Sequence, residues 1–329
     1  MISEKTYKLL VISKIPFVGK ASLNTIANQI SDWDLPLQDL ASKYFGVIPR
    51  VTSTKISKEY ISWADKMVSI AEEADDFIIS QQDEAYPKLL SKTKDAPAFL
   101  YCRGNMELLN KPSIAIIGTR EPSEDGKVIC DRVTKWFTEK DWVIVSGLAL
   151  GVDTIAHSSC IKNSGNTIVV YGNHLNKIYP AENVELVNEV LSTDGLLISE
   201  YPYDNKAHRS QFVERDRIQA GLSAGVVLVQ SDLTGGSMHA SKSILRYDRY
   251  LIVLNQSRKD INNRVNKIEA NIFLLNESFE KIKANLGIKI VNDKKIIRLM
   301  HKDEYGKVNK LLLDCYQEVS SETKGDLFS

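Results

Sequence analysis

Val143-Ile144-Val145-Ser146-Gly147-Leu148-Ala149-Leu150-Gly151-Val152-Asp153-Thr154-Ile155-Ala156-His157 is the stretch on which the fold turns. Its first three residues are apolar and β-branched at consecutive positions, the pattern of a strand covered on both faces. Two glycines then break the run, and from Val152 onward the apolar residues recur at helical spacing. A buried strand, a glycine turn and a helix make half of a βαβ unit.

The same rhythm continues on both sides. Short apolar runs recur over 114–117, 167–170, 196–198, 226–229 and 251–254. Amphipathic segments over 126–139, 152–163, 183–191, 211–222 and 237–247 lie between them. Right-handed crossovers between such strands give an α/β fold with an extended, Rossmann-like, mostly parallel, doubly wound sheet. The core is expected over 76–290.

Residues 1–75 read instead as a small helical module. Ser22 is placed as an N-cap, with Leu23, Ile26, Ala27 and Ile30 on one helical face, and a second helix over 57–74 carries Ile61, Ala64, Val68 and Ala71. The tail, 291–329, reads as a C-terminal extension. Helices are expected over 271–286 and 307–316, a short strand at Lys289-Ile290-Val291, and disorder over 320–329.

Composition narrows the function. The 42 Lys and Arg balance 42 Asp and Glu, so a protein that coats nucleic acid by bulk charge is excluded. The stretch 256–310 holds thirteen basic against seven acidic residues, so any anion-binding surface must arise by local placement. Cys102, Cys130, Cys160 and Cys315 are scattered without a CxxC pair, which points away from a zinc site or a disulfide framework. No run approaches the ~18 apolar residues of a membrane span, and the first residues lack a secretory pattern, so the cytoplasm is the expected compartment.

In an open parallel sheet, ligands bind beyond the carboxyl ends of the strands. The residues that follow each strand here are Gly118-Thr119-Arg120, Ser146-Gly147 through Gly151, Gly172-Asn173-His174, Ser199-Glu200, and Thr234-Gly235-Gly236-Ser237. Glycines admit a close approach of backbone, and amides with an arginine fork suit phosphate. Neither a GxGxxG fingerprint nor a P-loop is present. Arg120 is the sharpest candidate, placed to project into the cleft, and Arg215 and Arg217 flank Asp216 on a helix. Ser146, Asp153 and His157 offer a superficial triad, but Asp153 and His157 lie one helical turn apart and Ser146 lacks the GxSxG context. Catalysis is not supported, and no cofactor or metal is expected. Tyr171, Tyr179 and Tyr201 are the few aromatics near strand ends, so backbone contact is expected to outweigh base stacking.

These residues resemble a known family. Asp83-Glu84-Ala85-Tyr86-Pro87-Lys88-Leu89-Leu90 with Leu100-Tyr101-Cys102-Arg103-Gly104 is similar to the lead-in of the DNA-processing protein DprA (Smf) family. Ile114 to Arg120, Ser146 to His157, Tyr179-Pro180-Ala181-Glu182-Asn183, Leu197 to Pro202, and Phe212 to Ser223 follow in family order, from about Phe77 to Leu254. Ile15-Pro16-Phe17-Val18-Gly19 resembles a degenerate SAM or helix-hairpin-helix start, with Phe17 in place of a glycine. The resemblance implies a cytoplasmic homodimer that binds and protects single-stranded DNA and loads a RecA-type recombinase during natural transformation, without being an enzyme. It carries over Arg120 as a phosphate contact, Gly147 and Gly151 as backbone-approach positions, and Arg215 and Arg217 as an arginine pair, while Gly118, Thr119, Ser146, Gly235, Gly236 and Ser237 are candidate phosphate contacts from their places at the strand ends. Lys177 stands in for a basic residue that the family places where this chain has Ala181, and Asp216 replaces the family's asparagine. The alternative is a nucleotide-binding or nucleoside-monophosphate-hydrolysing protein of the related lysine-decarboxylase-like (LOG) class. That class carries a glutamate on the helix after its glycines, absent from Gly235-Gly236-Ser237-Met238-His239-Ala240-Ser241-Lys242.

Overall fold

The computed structural model describes residues 2–48, 50–288 and 292–321. One sheet organises the chain. Its strands are β1 (Phe77–Ser80), β2 (Phe99–Gly104), β3 (Ser113–Ile117), β4 (Val143–Ser146), β5 (Thr167–Tyr171), β6 (Leu196–Ser199), β7 (Gly225–Leu228), β8 (Tyr250–Leu254) and β9 (Ile296–Leu299). They lie in the order β1-β2-β6-β5-β4-β3-β7-β8-β9. The pairs among β3 to β9 are parallel, whereas β2 runs antiparallel to β6 and β1 antiparallel to β2.

The apolar runs make this sheet because alternate side chains feed separate cores on its two faces. Ile114, Ile116 and Ile144 pack with Val133, Val152 and Ala156 on one face. Ala115, Ile117, Val143 and Val145 pack with Ile218, Ala220 and Met238 on the other. Each fully buried branched side chain contributes roughly 1.5–3 kcal/mol, so a slip of one residue between strands would place no set correctly. From β3 the chain winds outward through β4, β5 and β6, then returns to lay β7 on the opposite side of β3. This reversal puts a topological switch point between β3 and β7.

All six expected strands are present, and the expected helices begin and end within a few residues of Glu124–Thr138, Val152–Lys162, Val184–Ser192 and Ser237–Arg246. Three differences are informative. The helix expected over 211–222 is two, Arg209–Glu214 and Asp216–Leu222, parted at Arg215. The bond from the Ile218 amide to the Arg215 carbonyl, 2.8 Å, spans three residues and tightens the chain there. The helix over 271–286 is likewise two, Glu269–Asn276 and Phe279–Leu286. In the N-terminal module the helix is Lys20–Ala27 with Gly19 at its cap, so Ser22 is an interior residue and not the N-cap.

The tail is not a separate extension. β9 pairs with β8, and Leu299, Val308 and Leu312 are buried in the core that holds Ile114 and Ile252. The helix Tyr305–Ser321 includes Ser320 and Ser321, which were expected to be disordered; 322–329 lie outside the described residues. The short strand expected at Lys289-Ile290-Val291 also lies outside them. The N-terminal module is equally attached: Ala98 joins its core of Leu9, Ile12, Leu40 and Phe45, and Ile2 bridges to Ile78. Among the described residues no helix is long and apolar enough to cross a membrane.

A candidate nucleic-acid interface at the carboxyl edge of the sheet

The loop after β3 is fixed from both sides. The Thr119 amide donates to the Gln230 carbonyl at 2.7 Å, and the Val152 amide donates to the Thr119 carbonyl at 3.2 Å. Gly151, with φ of 82°, lies so close to the carbonyls of Thr119 and Arg120 that a Cβ there would collide with both. Only glycine combines this backbone angle with this approach. Gly118 is equally tight against Val152 and Gln230. With its backbone clamped, Arg120 extends into solvent, exposed and without a hydrogen bond or ion pair among the described residues. Arg120 and the 147–151 turn therefore share one rim.

Other residues of that turn look inward. Ser146 is fully buried, and its hydroxyl donates to the Ile116 carbonyl at 2.7 Å, so its side chain is a pin between strands and not a phosphate contact. His157 is fully buried too, with Nε2 2.7 Å from the Gly147 carbonyl and Nδ1 2.7 Å from the Thr167 hydroxyl. Burial pushes its pKa down, so the neutral imidazole donates through Nε2 and tethers the turn to β5. Ser146, Asp153 and His157 do not form a triad: the serine and histidine each bind main-chain carbonyls.

The arginine pair divides in a way the sequence did not reveal. Arg215 is buried. Its Nη1 donates to the Val170 carbonyl at 3.1 Å, Nε lies 3.2 Å from Asp216 Oδ1, and Nη2 lies 3.5 Å from Asp153 Oδ2. Gly147 has no side chain because the Arg215 guanidinium occupies that space. The expectation that both contact a phosphate gives way to an internal lock. Asp216 turns to Arg215 and accepts from Gln219 at 2.9 Å, so its carboxyl is directed into the protein. Arg217, partly buried, donates to Glu200 Oε2 at 2.7 Å, and Lys20 of the N-terminal module reaches the same oxygen at 2.8 Å. Arg217 is thus an ion-pair partner at the junction of module and core, not a free anion ligand.

The β7 side is partly closed. Gln230, fully buried at the switch point, donates to Gln256 Oε1 at 3.0 Å and Asp260 Oδ2 at 3.1 Å and accepts the Ser123 amide at 3.0 Å. Ser237 donates to Ser231 at 2.7 Å, Gly235 is tight against Ser231, and Gly236 has open space around it. Lys267 sits between Glu121 and Asp232 at 3.7 and 3.8 Å.

The other side carries exposed cations, with Glu182 and Asp204 exposed in the same segments. Lys177, after β5, is exposed and forms no ion pair among the described residues. Lys206 and Arg209, after β6, are likewise exposed and without an ion pair among them. The sequence reading missed both, although Lys206, His208 and Arg209 crowd four positions at the end of the loop that follows β6. The loops are contiguous. Asn183 donates to the Leu148 carbonyl at 3.0 Å, joining the 179–183 segment to the 147–151 turn, and the Tyr179 and Phe212 rings lie 5.7 Å apart. From Arg209 through Lys177 to Arg120 the unpaired cations cross the ends of β6, β5, β4 and β3, about 15 Å at the usual strand spacing. A row of exposed cations along one edge of loops is an electrostatic track for a polyanion.

Comparison with known proteins shows what the chain is similar to. The family described as DNA recombination-mediator protein A matches residues 77–282. The DNA processing protein DprA of Bacillus subtilis is 39% identical over 176 residues, covering 53% of this chain and 59% of that protein. DprA of Streptococcus pneumoniae is 38% identical over 156 residues, 47% of this chain and 55% of the relative. The chain thus spans a little over half the length of these curated relatives. Among solved structures, DprA from Streptococcus pneumoniae superposes with a TM-score of 0.64 at 27% identity, covering 83% of this chain and 98% of that one. DNA processing protein A from Helicobacter pylori, described for its single-stranded DNA binding mode, gives 0.57 at 29% identity, covering 73% and 96%.

Proposed function

The chain belongs to the DNA recombination-mediator protein A family, and from that premise we propose that it binds single-stranded DNA along the carboxyl edge of its sheet. The observation that carries this reading is Arg120, exposed and unpaired on a backbone clamped by Gly151, at one end of the track that continues to Lys177 and Arg209. The relation to a protein described for binding single-stranded DNA supports the choice of polyanion. The contacts of these cations are to phosphates, so their share of the affinity follows counterion release and depends little on sequence.

In the same reading the bound strand is shielded from nucleases and handed to a RecA-type recombinase during DNA uptake in natural transformation, by a homodimer in the cytoplasm. The binding role requires no bond-breaking step. The buried bonds of Ser146 and His157 support a structural part for both. The nucleotide-hydrolysing alternative is weighed down by Gln230, whose side chain fills the switch point, and by the absence of a glutamate on the helix Ser237–Arg246.

The test is a binding isotherm for an oligothymidylate by fluorescence anisotropy, at about 50 mM and about 200 mM salt. The wild type is expected to weaken steeply with salt, and Arg120→Ala to bind more weakly with a slope shallower by about 0.7 for the lost phosphate contact. Equal affinity at both salts, or an Arg120→Ala variant indistinguishable from wild type, would sink the reading. Handover to a recombinase is tested separately, by filament formation on strands pre-bound by this protein.

A further inference from the structure

Tyr179 is the exposed aromatic of this edge. The residue is 62% exposed, and its hydroxyl makes no hydrogen bond among the described residues. It is also braced. The Phe212 ring lies 5.7 Å away at an interplanar angle of 60°, and Phe212 in turn meets buried Tyr171 at 6.4 Å and 76°. Tyr171 anchors the loop that carries Tyr179, its hydroxyl donating to the Lys177 carbonyl at 2.5 Å. Three rings thus climb from the core of the sheet into solvent, and the last has no cover. Leu150, 41% exposed on the adjoining turn, and Val213, 40% exposed beside Phe212, extend the apolar rim.

An apolar ring left in water among unpaired cations suits one class of ligand. Unpaired nucleobases present flat, stackable faces strung on a chain of phosphates, and base–aromatic stacking tolerates any sequence because every base has such a face. We propose that Tyr179 is a stacking platform for an unpaired base, so that this edge holds the bases of a single strand as well as its phosphates. The proposal rests on the single-strand reading above and shifts the weight that the sequence placed on backbone contact. A braced ring loses little freedom when a base settles on it, so the stack stabilises the complex with little ordering cost.

The experiment compares an oligothymidylate with an abasic strand of the same length, which keeps the charge and removes the bases. Wild type is expected to bind the thymidylate more tightly than the abasic strand. Tyr179→Ala should lose roughly 5- to 100-fold for the thymidylate with little change for the abasic strand. Its salt slope should be unchanged, because no phosphate contact is removed. Tyr179→Phe should bind as wild type, since the ring and not the hydroxyl does the stacking, and circular dichroism should show all three chains folded alike. If Tyr179→Ala binds the thymidylate as wild type does, or if wild type does not distinguish the two strands, the stacking proposal is overturned and the phosphate track stands. If wild type binds neither strand at low salt, the single-strand reading falls and takes this one with it.

Discussion

Gly147 and Arg215 are sixty-eight residues apart in the chain, yet each explains the other. The guanidinium lies over the Gly147 Cα, and there it joins β5 to the carboxylates of Asp153 and Asp216. Gly147→Ala forces that group out and leaves two buried acids without their cation. Breaking a buried ion pair in this way costs about 3–5 kcal/mol, so urea unfolding should show a loss of that size; a loss below about 1 kcal/mol would argue against the lock. Asp216 makes a second prediction. Burial pushes its carboxyl up to about 7, although Arg215 pulls the other way, Asp153 adds to the rise and Arg120 opposes it. Between about pH 4 and about pH 7 the folded chain holds a proton that the unfolded chain has released. Its contribution to stability therefore falls as pH rises through that window and is level above it. Asp216→Asn keeps an oxygen for Gln219 and Arg215 but removes the titration. Its unfolding free energy should decline less steeply over the window, by up to about 1.4 kcal/mol per pH unit, and parallel pH profiles would contradict the assignment.

Among the elements, the break between helices Arg209–Glu214 and Asp216–Leu222 decides which arginine is buried. The three-residue bond at Arg215 turns its side chain toward β5 and sends Arg217 to Glu200. Glu200 also receives Lys20, so the end of β6 joins the N-terminal helix Lys20–Ala27 to the core. The two partners are unequal. The Lys20 side chain is 59% exposed and that of Arg217 is 19% exposed, against 1% for the carboxylate they share. Lys20→Ala should cost no more than about 1 kcal/mol, whereas Glu200→Gln leaves Arg217 unpaired in a buried site and should cost about 3–5 kcal/mol. Thermal or urea unfolding of the two variants side by side checks this, and equal losses would refute the ranking. In hydrogen exchange, Glu200→Gln should also loosen helix Lys20–Ala27 relative to the sheet.

For the whole molecule, the tail decides whether the sheet is covered. β9 supplies the last parallel pairing, and Leu312 packs so close to Gly225 that a Cβ at that glycine would meet it. Trp142 donates to Asn309 Oδ1 at 2.7 Å, tying the start of β4 to helix Tyr305–Ser321. A chain ended at residue 290 would expose the β8 edge and the apolar face beneath that helix. It should aggregate or melt without a cooperative transition, with Trp142 fluorescence shifted to longer wavelength. A soluble, cooperatively melting 1–290 fragment would show that the tail is dispensable.

The alternation of both-faced apolar runs with amphipathic segments settled the layered parallel sheet, because burial on two faces leaves no freedom in what a strand must look like. Glycines after those runs marked the carboxyl edge of the sheet, and Arg120 and Gly151 were legible there as neighbours of a turn. β1, β2 and β9 were not: β1 is a run of only three apolar residues, and Arg103 and Arg298 interrupt the apolar signal of β2 and β9. Nor was the fate of the arginine pair. A guanidinium reads the same in sequence whether it faces water or a buried carboxylate. Only the tertiary structure, by bringing Gly147, Val170 and Asp153 around Arg215 while leaving Arg120, Lys177 and Arg209 unpaired, separated the cations that hold the protein together from those free to hold something else.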